Sequence, residues 1–236
     1  MLGPEINSSC ILFGALIGSY IGRLLGETFR KHLMLVFGCI NIGMGVFMIS
    51  KTQALPPVVC SLLLGTLVGE IFRLEYLIMV VAHKVSTAFS RIGKRQDASL
   101  EYMREQFSIF LVVFAGSGLG FFGAMQEGLT GDPSLLIIKA LLDFPTALFI
   151  AANTGAIIGV LCVPQFLVQA VVLLSAGFVG QYTTPFLLDN FSGCGGFIML
   201  ATGLRTCGIM QFPILSMLPA FLCSMPFSLL WLHFFA

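Results

Sequence analysis

The chain has 236 residues, 57% of them hydrophobic and only 10% charged, with a formal net charge of +1. So little polar surface cannot cover a water-soluble core, which excludes an ordinary soluble domain and leaves an all-α, polytopic membrane protein as the expected fold class. No nucleic-acid partner is expected; the lipid bilayer is.

In chain order, the amino-terminal MLGPEIN lacks the basic region of a cleavable signal peptide, and the apolar run after it exceeds a signal core, so the first span is expected to remain. Runs of about 18 or more apolar residues then recur along the chain, each long enough to cross a hydrocarbon core of about 30 Å as a helix. Eight spans are expected, at Ser8 to Gly26, His32 to Ser50, Pro56 to Arg73, Phe107 to Met125, Ser134 to Cys162, Phe166 to Leu188, Gly193 to Met210 and Pro213 to Phe235. The fifth is too long for one straight helix. Between the third and fourth, Leu74 to Gln106 mixes Leu77, Ile78 and Val81 with His83, Lys84, Arg91, Lys94 and Arg95, as an amphipathic connector at the cytoplasmic surface would. The reading is one transmembrane domain, 1–236, with the connector 74–106 inside it.

Cytoplasmic loops retain Lys and Arg near span ends. With both termini outside, Arg23, Arg30, Lys31, Arg73, Lys84, Arg91, Lys94, Arg95, Arg104 and Arg205 all fall inside, and Lys51 falls in an outer loop beside Glu5, Glu127, Asp132 and Asp189.

GALIGSY (Gly14 to Tyr20) is answered by AGFVGQY (Ala176 to Tyr182), pairing Gly18 with Gly180 and Tyr20 with Tyr182. Gly38 and Gly45 repeat the spacing of Gly196 and Gly203, and LPPVVCS (Leu55 to Ser61) is answered by LPAFLCS (Leu218 to Ser224). Spans one to three therefore match spans six to eight, and an odd offset of five spans makes the repeat inverted. Inverted triplets are a transporter geometry, with a site between them near the bilayer midplane.

The fifth span carries the polar chemistry. Lys139 and Asp143 stand four residues apart, on one helix face, where charge is costly unless it meets protein or water. Pro145 is expected to bend or break the helix beside them and free the Leu141 carbonyl, with Asn153 and Thr154 following before Gly155. The two charges can pair, and, paired and partly hydrated, Lys139 would meet an anionic group while Asp143 meets a cation or proton; the alternative is a structural Lys/Asp pair with a packing kink. Glu70 is placed to pair with Arg73 or Arg205. Asn41, Gln169, Gln181 and Tyr182 are further polar groups at membrane depth. The expected substrate or ion-binding set is thus Lys139, Asp143, Asn153, Thr154, Glu70, Gln181 and Tyr182.

Catalytic patterns are poor. GSGLG (Gly116 to Gly120) follows no strand, Ser117 has no histidine placed near it, and the seven cysteines lack CxxC spacing. No enzyme activity, cofactor or metal is expected.

GxxxGE (Gly65 to Glu70), QEGLTGD (Gln126 to Asp132), KALLD (Lys139 to Asp143), AANTGAIIG (Ala151 to Gly159) and GGFIMLATGL (Gly195 to Leu204) together resemble the YqgA/YdfK-type bacterial membrane proteins, a family catalogued as a domain of unknown function. The resemblance covers nearly the whole chain. It implies a bacterial inner-membrane protein, often described as a transporter without an established substrate, and it implies Asn where Arg205 stands after Gly203-Leu204.

The expected function is therefore secondary transport or facilitated passage of a small polar solute or ion. The alternative is a non-transporting scaffold or regulatory subunit whose polar residues only join helices. Transport calls for a water-accessible midplane cavity lined by span five, whereas a scaffold calls for a dry core with every polar group paired. Self-association is left open.

Overall fold

The computed structural model describes residues 1–21, 26–78, 80, 84, 117–180 and 183–235. Among them the chain is helical: α1 (Leu2–Ile21), α2 (Glu27–Ile49), α3 (Leu55–Ile71), α4 (Gly118–Thr130), α5 (Ser134–Thr154), a 3-10 helix (Ala156–Leu161), α6 (Cys162–Gly180), α7 (Pro185–Thr206), α8 (Ile214–Met217) and α9 (Ala220–Phe235). Among the described residues four segments are long and apolar enough to cross a membrane, Lys31–Ile49, Ser134–Ala152, Ala156–Phe178 and Ile214–Phe235. α3 is as apolar but has 17 residues. The connector expected at 74–106 lies outside the described residues except at 74–78, 80 and 84.

The fifth span ends earlier than expected, and not at its proline. α5 runs through Pro145 without interruption and stops at Thr154. A proline removes one helix hydrogen bond, and polar side chains nearby can engage the backbone groups around it; here the Thr146 hydroxyl donates to the Leu142 carbonyl at 2.8 Å. The break falls instead at Gly155, whose φ of 85° and ψ of 176° belong to a region that only glycine enters readily. Residues 156–161 then form the 3-10 turn that feeds α6.

The helices divide into two compact units. The first, residues 1–30 and 76–180, contains α1, α4, α5 and α6. Gly14 and Gly18 of α1 lie against the Phe144 and Leu148 carbonyls of α5, so these two helices run parallel, and a side chain at either glycine would overlap backbone. Gly120 and Gly128 of α4 approach Gln169 and Leu173 of α6, a second parallel pair. Two apolar clusters fill this bundle. One joins Ile11, Ala15, Ala147, Ala151, Ile158 and Leu161; the other joins Ala124, Leu136 and Leu173. Since Leu136 shares a cluster with Leu173 while Ala147 and Ala151 share one with Leu161, α5 and α6 run antiparallel.

The second unit, residues 31–75 and 181–236, holds α2 from Lys31, α3, α7, α8 and α9. Its α2–α7 crossing is reciprocal. A Cβ on Gly45 would stand 2.7 Å from the Gly196 carbonyl oxygen, and one on Gly196 2.7 Å from the Gly45 oxygen. One step along, Gly203 meets the Gly38 oxygen at 2.7 Å, and Gly38 meets the Gly203 oxygen at 3.0 Å. Positions rise on α2 as they fall on α7, so the helices are antiparallel with backbones in direct contact, the approach that small residues permit in membranes. α3 buries a small-residue face of Pro57, Ser61, Gly65 and Gly69, with Gly65 on Ala220 and Gly69 on Ser216, again antiparallel.

Buried Asn190 ties this unit together. Its Oδ1 accepts from the Gln53 and Ala54 amides at 3.2 and 2.9 Å, and its Nδ2 donates to Ser228 Oγ at 3.2 Å.

Glycine at a backbone crossing and glycine on an open face predict opposite outcomes. Gly45→Ala forces a clash with Gly196 and Leu200 backbone, whereas nothing lies within 4 Å of a Cβ on Gly43. Thermal unfolding in detergent is expected to show Gly45→Ala destabilised by about 1–3 kcal/mol. Gly43→Ala should be neutral, or stabilised by about 0.5–1 kcal/mol through helix propensity. Equal effects at the two positions would contradict the crossing.

Candidate functional site

Charge in an apolar helix is tolerated where a partner can reach it. Asp143 stands one residue before the middle of α5, and Lys139 one turn earlier. Both side chains point into the first unit: Lys139 is 2% exposed and Asp143 9%, while Leu141 between them is 68% exposed on the outer face. The Lys139 ammonium donates to Asp143 Oδ2, forming a buried ion pair within one helix. Each of the two charges is thus engaged by the other, as their spacing allows. Basic before acidic is the weaker order for an i,i+4 pair in a helix.

Neutral amides surround it. Asn7 of α1 faces the Asp143 carboxyl. Gln169 of α6 lies beside Gly120, whose missing side chain makes room for the Lys139 stem: a Cβ there would stand 2.6 Å from Lys139 Cε and 3.2 Å from Gln169 Nε2. Gln165 is one turn from Gln169, on the α6 stripe that also carries Leu161 and Leu173. Asn7 and Gln165 are 0% exposed and Gln169 is 2% exposed; the Asn7 amide is engaged with the Asp143 carboxylate, whereas the amide oxygen and nitrogen of Gln165 and Gln169 lack a hydrogen-bond partner among the described residues. The adjacent Ser8 hydroxyl lacks one too.

The result is a polar layer between the two apolar clusters. On one side lie Ile11, Ala147, Ile158 and Leu161, and on the other Ala124, Leu136 and Leu173. Beyond the second cluster, buried Glu127 of α4 accepts from the Gly3 amide at 3.1 Å and so satisfies a first-turn donor of α1.

Of the expected site residues, Lys139 and Asp143 are brought together, and Gln169, read only as one more polar group, joins them. Thr154 does not. It closes α5 with its hydroxyl donating to the Ile150 carbonyl at 2.8 Å, 11 residues past Asp143 and so about 16 Å along the axis. The Asn153 side chain, Gln181 and Tyr182 lie outside the described residues. Glu70 is exposed at the end of α3 in the second unit. Arg205 does not pair with it; it binds Glu75 at 3.1 Å and the Phe212 carbonyl at 2.9 Å. Asn41 is buried on α2 with Oδ1 unpartnered. Ser117, in the glycine-rich GSGLG, caps α4 by accepting from the Gly120 amide at 3.4 Å. Sequence reasoning missed Asn7 and Gln165. Their signals were the Gln165–Gln169 spacing of one turn and the position of Asn7 one turn before Ile11.

The buried pair predicts a non-additive stability pattern. Lys139→Met alone leaves a carboxylate buried without its partner and should cost about 3–5 kcal/mol, while Lys139→Met with Asp143→Leu should be neutral or more stable than the parent. Thermal unfolding of the three proteins in detergent measures it. A double variant as unstable as the single would show that the two charges are not coupled.

A family model described as "Protein of unknown function (DUF554)" matches residues 2–229. The uncharacterized protein YqgA of Escherichia coli (strain K12) is 39% identical over 236 residues, the full length of both chains. The uncharacterized membrane protein YdfK of Bacillus subtilis (strain 168) is 26% identical over 228 residues, covering 94% of this chain and 93% of that one. No solved structure matches. With apolar helices able to span a bilayer and a buried polar layer in its first unit, the chain is a membrane protein and belongs to the DUF554 family.

Proposed function

We propose that this protein is a secondary transporter or facilitator in the bacterial plasma membrane, and that a small polar solute passes through the polar layer of the first unit. One observation carries the proposal: Gln165 and Gln169 bury amide groups that no described protein group satisfies, beside an Asn7 amide turned to the Asp143 carboxylate. Leaving such a group unpaired costs about 1–3 kcal/mol. A scaffold that used its amides only to join helices would pair them, as Asn190 is paired in the second unit.

The proposal includes eight spans with both termini outside and an inverted repeat of α1–α3 against α6, α7 and α8–α9. Helix directions within each unit support this: α1 with α5 and α4 with α6 are parallel, while α2 with α7 and α3 with α9 are antiparallel, as strict alternation requires. The reciprocal glycine crossing supports it as well. The repeat pairs Gly38 with Gly196 and Gly45 with Gly203, and a twofold axis in the membrane plane would set each glycine against the counterpart of the other, giving the contacts Gly38–Gly203 and Gly45–Gly196. Gly14 of α1 bears α5, and its aligned partner Ala176 of α6 bears α4 at Gly128.

Transport requires the layer to open to water. In the folded protein in liposomes, Gln165→Cys is expected to react with uncharged, water-soluble hydroxyethyl methanethiosulfonate beyond the background of the parent cysteines, whereas Leu136→Cys in the neighbouring apolar cluster should not. Equal protection of both positions would favour the scaffold.

A further inference from the structure

Resting on that reading, we infer that the polar layer selects a small uncharged solute able to donate and accept hydrogen bonds, of the polyol or urea type, and rejects ions of either sign.

Charge is the first argument. Lys139 and Asp143 are bonded to each other and sum to zero. A bound cation would add a positive charge facing Lys139, and a bound anion would add a negative charge facing Asp143. Among the described residues neither has a second opposite charge in the layer, and an uncompensated ion in a low-dielectric interior carries a penalty of several kcal/mol. An uncharged solute leaves the ion pair intact.

Hydrogen bonding is the second. Gln165 and Gln169 each present a carbonyl oxygen and an NH2 group without a partner among the described residues, next to the Asn7 amide that faces Asp143. Each amide can donate twice and accept at its oxygen. A bare cation would satisfy only the oxygens and an anion only the N–H groups, leaving the other half buried and unpaired. Hydroxyl and urea-type groups satisfy both, because they donate and accept at one place.

Shape is the third. Gln165 and Gln169 lie one turn apart on α6, Asn7 faces the layer from α1, and α4 contributes Gly120 with no side chain. Apolar side chains bound the layer on both sides. A hydrated ion would have to surrender its water shell at those boundaries, a far larger cost than desolvating a polyol or urea.

The test is tracer uptake of glycerol, urea, sodium and chloride into proteoliposomes holding the full chain, compared with protein-free vesicles. Uptake of glycerol or urea above the protein-free rate is expected, with sodium and chloride unchanged. Gln169→Leu should lower that uptake about tenfold, as losing one or two hydrogen bonds to a neutral group would. Gln169→Met, closer in shape, replaces it if the leucine variant does not fold. Uptake of sodium or chloride without glycerol or urea would overturn this inference and leave the transporter reading standing. Glycerol or urea uptake unaltered in folded Gln169 variants would overturn the layer as the selecting site. No uptake of any of the four would overturn the inference together with the transporter reading.

Discussion

Within hydrocarbon every buried polar group must find its partner inside the protein, since no water waits at the helix surface. The first unit meets that constraint for its central pair of charges and leaves it unmet, among the described residues, for two amides. Lys139 and Asp143 close on each other with Asn7 facing the carboxylate, while Gln165 and Gln169 keep donors and acceptors free in a layer bounded by small and branched apolar side chains. The functional account depends on that contrast. The fully paired Asn190 of the second unit illustrates what an amide does when its role is to hold helices together.

Close packing makes such a layer possible. Glycines at Gly14 and Gly18 bring α1 onto α5 with backbones touching, and Gly128 does the same between α4 and α6. With helices that close, a short side chain such as Asn7 can face the carboxyl of Asp143, and Gly120 leaves space for the stem of a buried lysine. Larger residues at these positions would push the helices apart and admit lipid or more water to the pair. The small-residue faces of the second unit are built on the same rule, with backbones meeting reciprocally at the α2–α7 crossing.

Much of this was legible in the sequence, and for physical reasons. Lys139 and Asp143 stand out because charge inside an apolar run demands an explanation, and the four-residue spacing already put them on one face. The glycine spacings of α2 and α7 are visible as a pattern, though nothing in the pattern says that the two helices touch each other. Pro145 was expected to bend or break the helix; the helix runs on through it, and the break comes at the positive φ of Gly155. Thr154 was grouped with the charged pair by sequence proximity, and distance along α5 separates it from the pair. Asn7 and Gln165 were hidden because a neutral amide in an apolar helix is usually an interhelical hydrogen bond, and only burial without a partner marks Gln165 as one that is not.

The most direct measurement is an experimental density map of the protein in lipid with urea present, at a resolution that shows ordered water. The account predicts density between the two apolar clusters, within hydrogen-bond distance of the amides of Gln165 and Gln169, with the Lys139–Asp143 pair intact. These amides bonded only to one another or to that pair, with no density between the clusters, would contradict it.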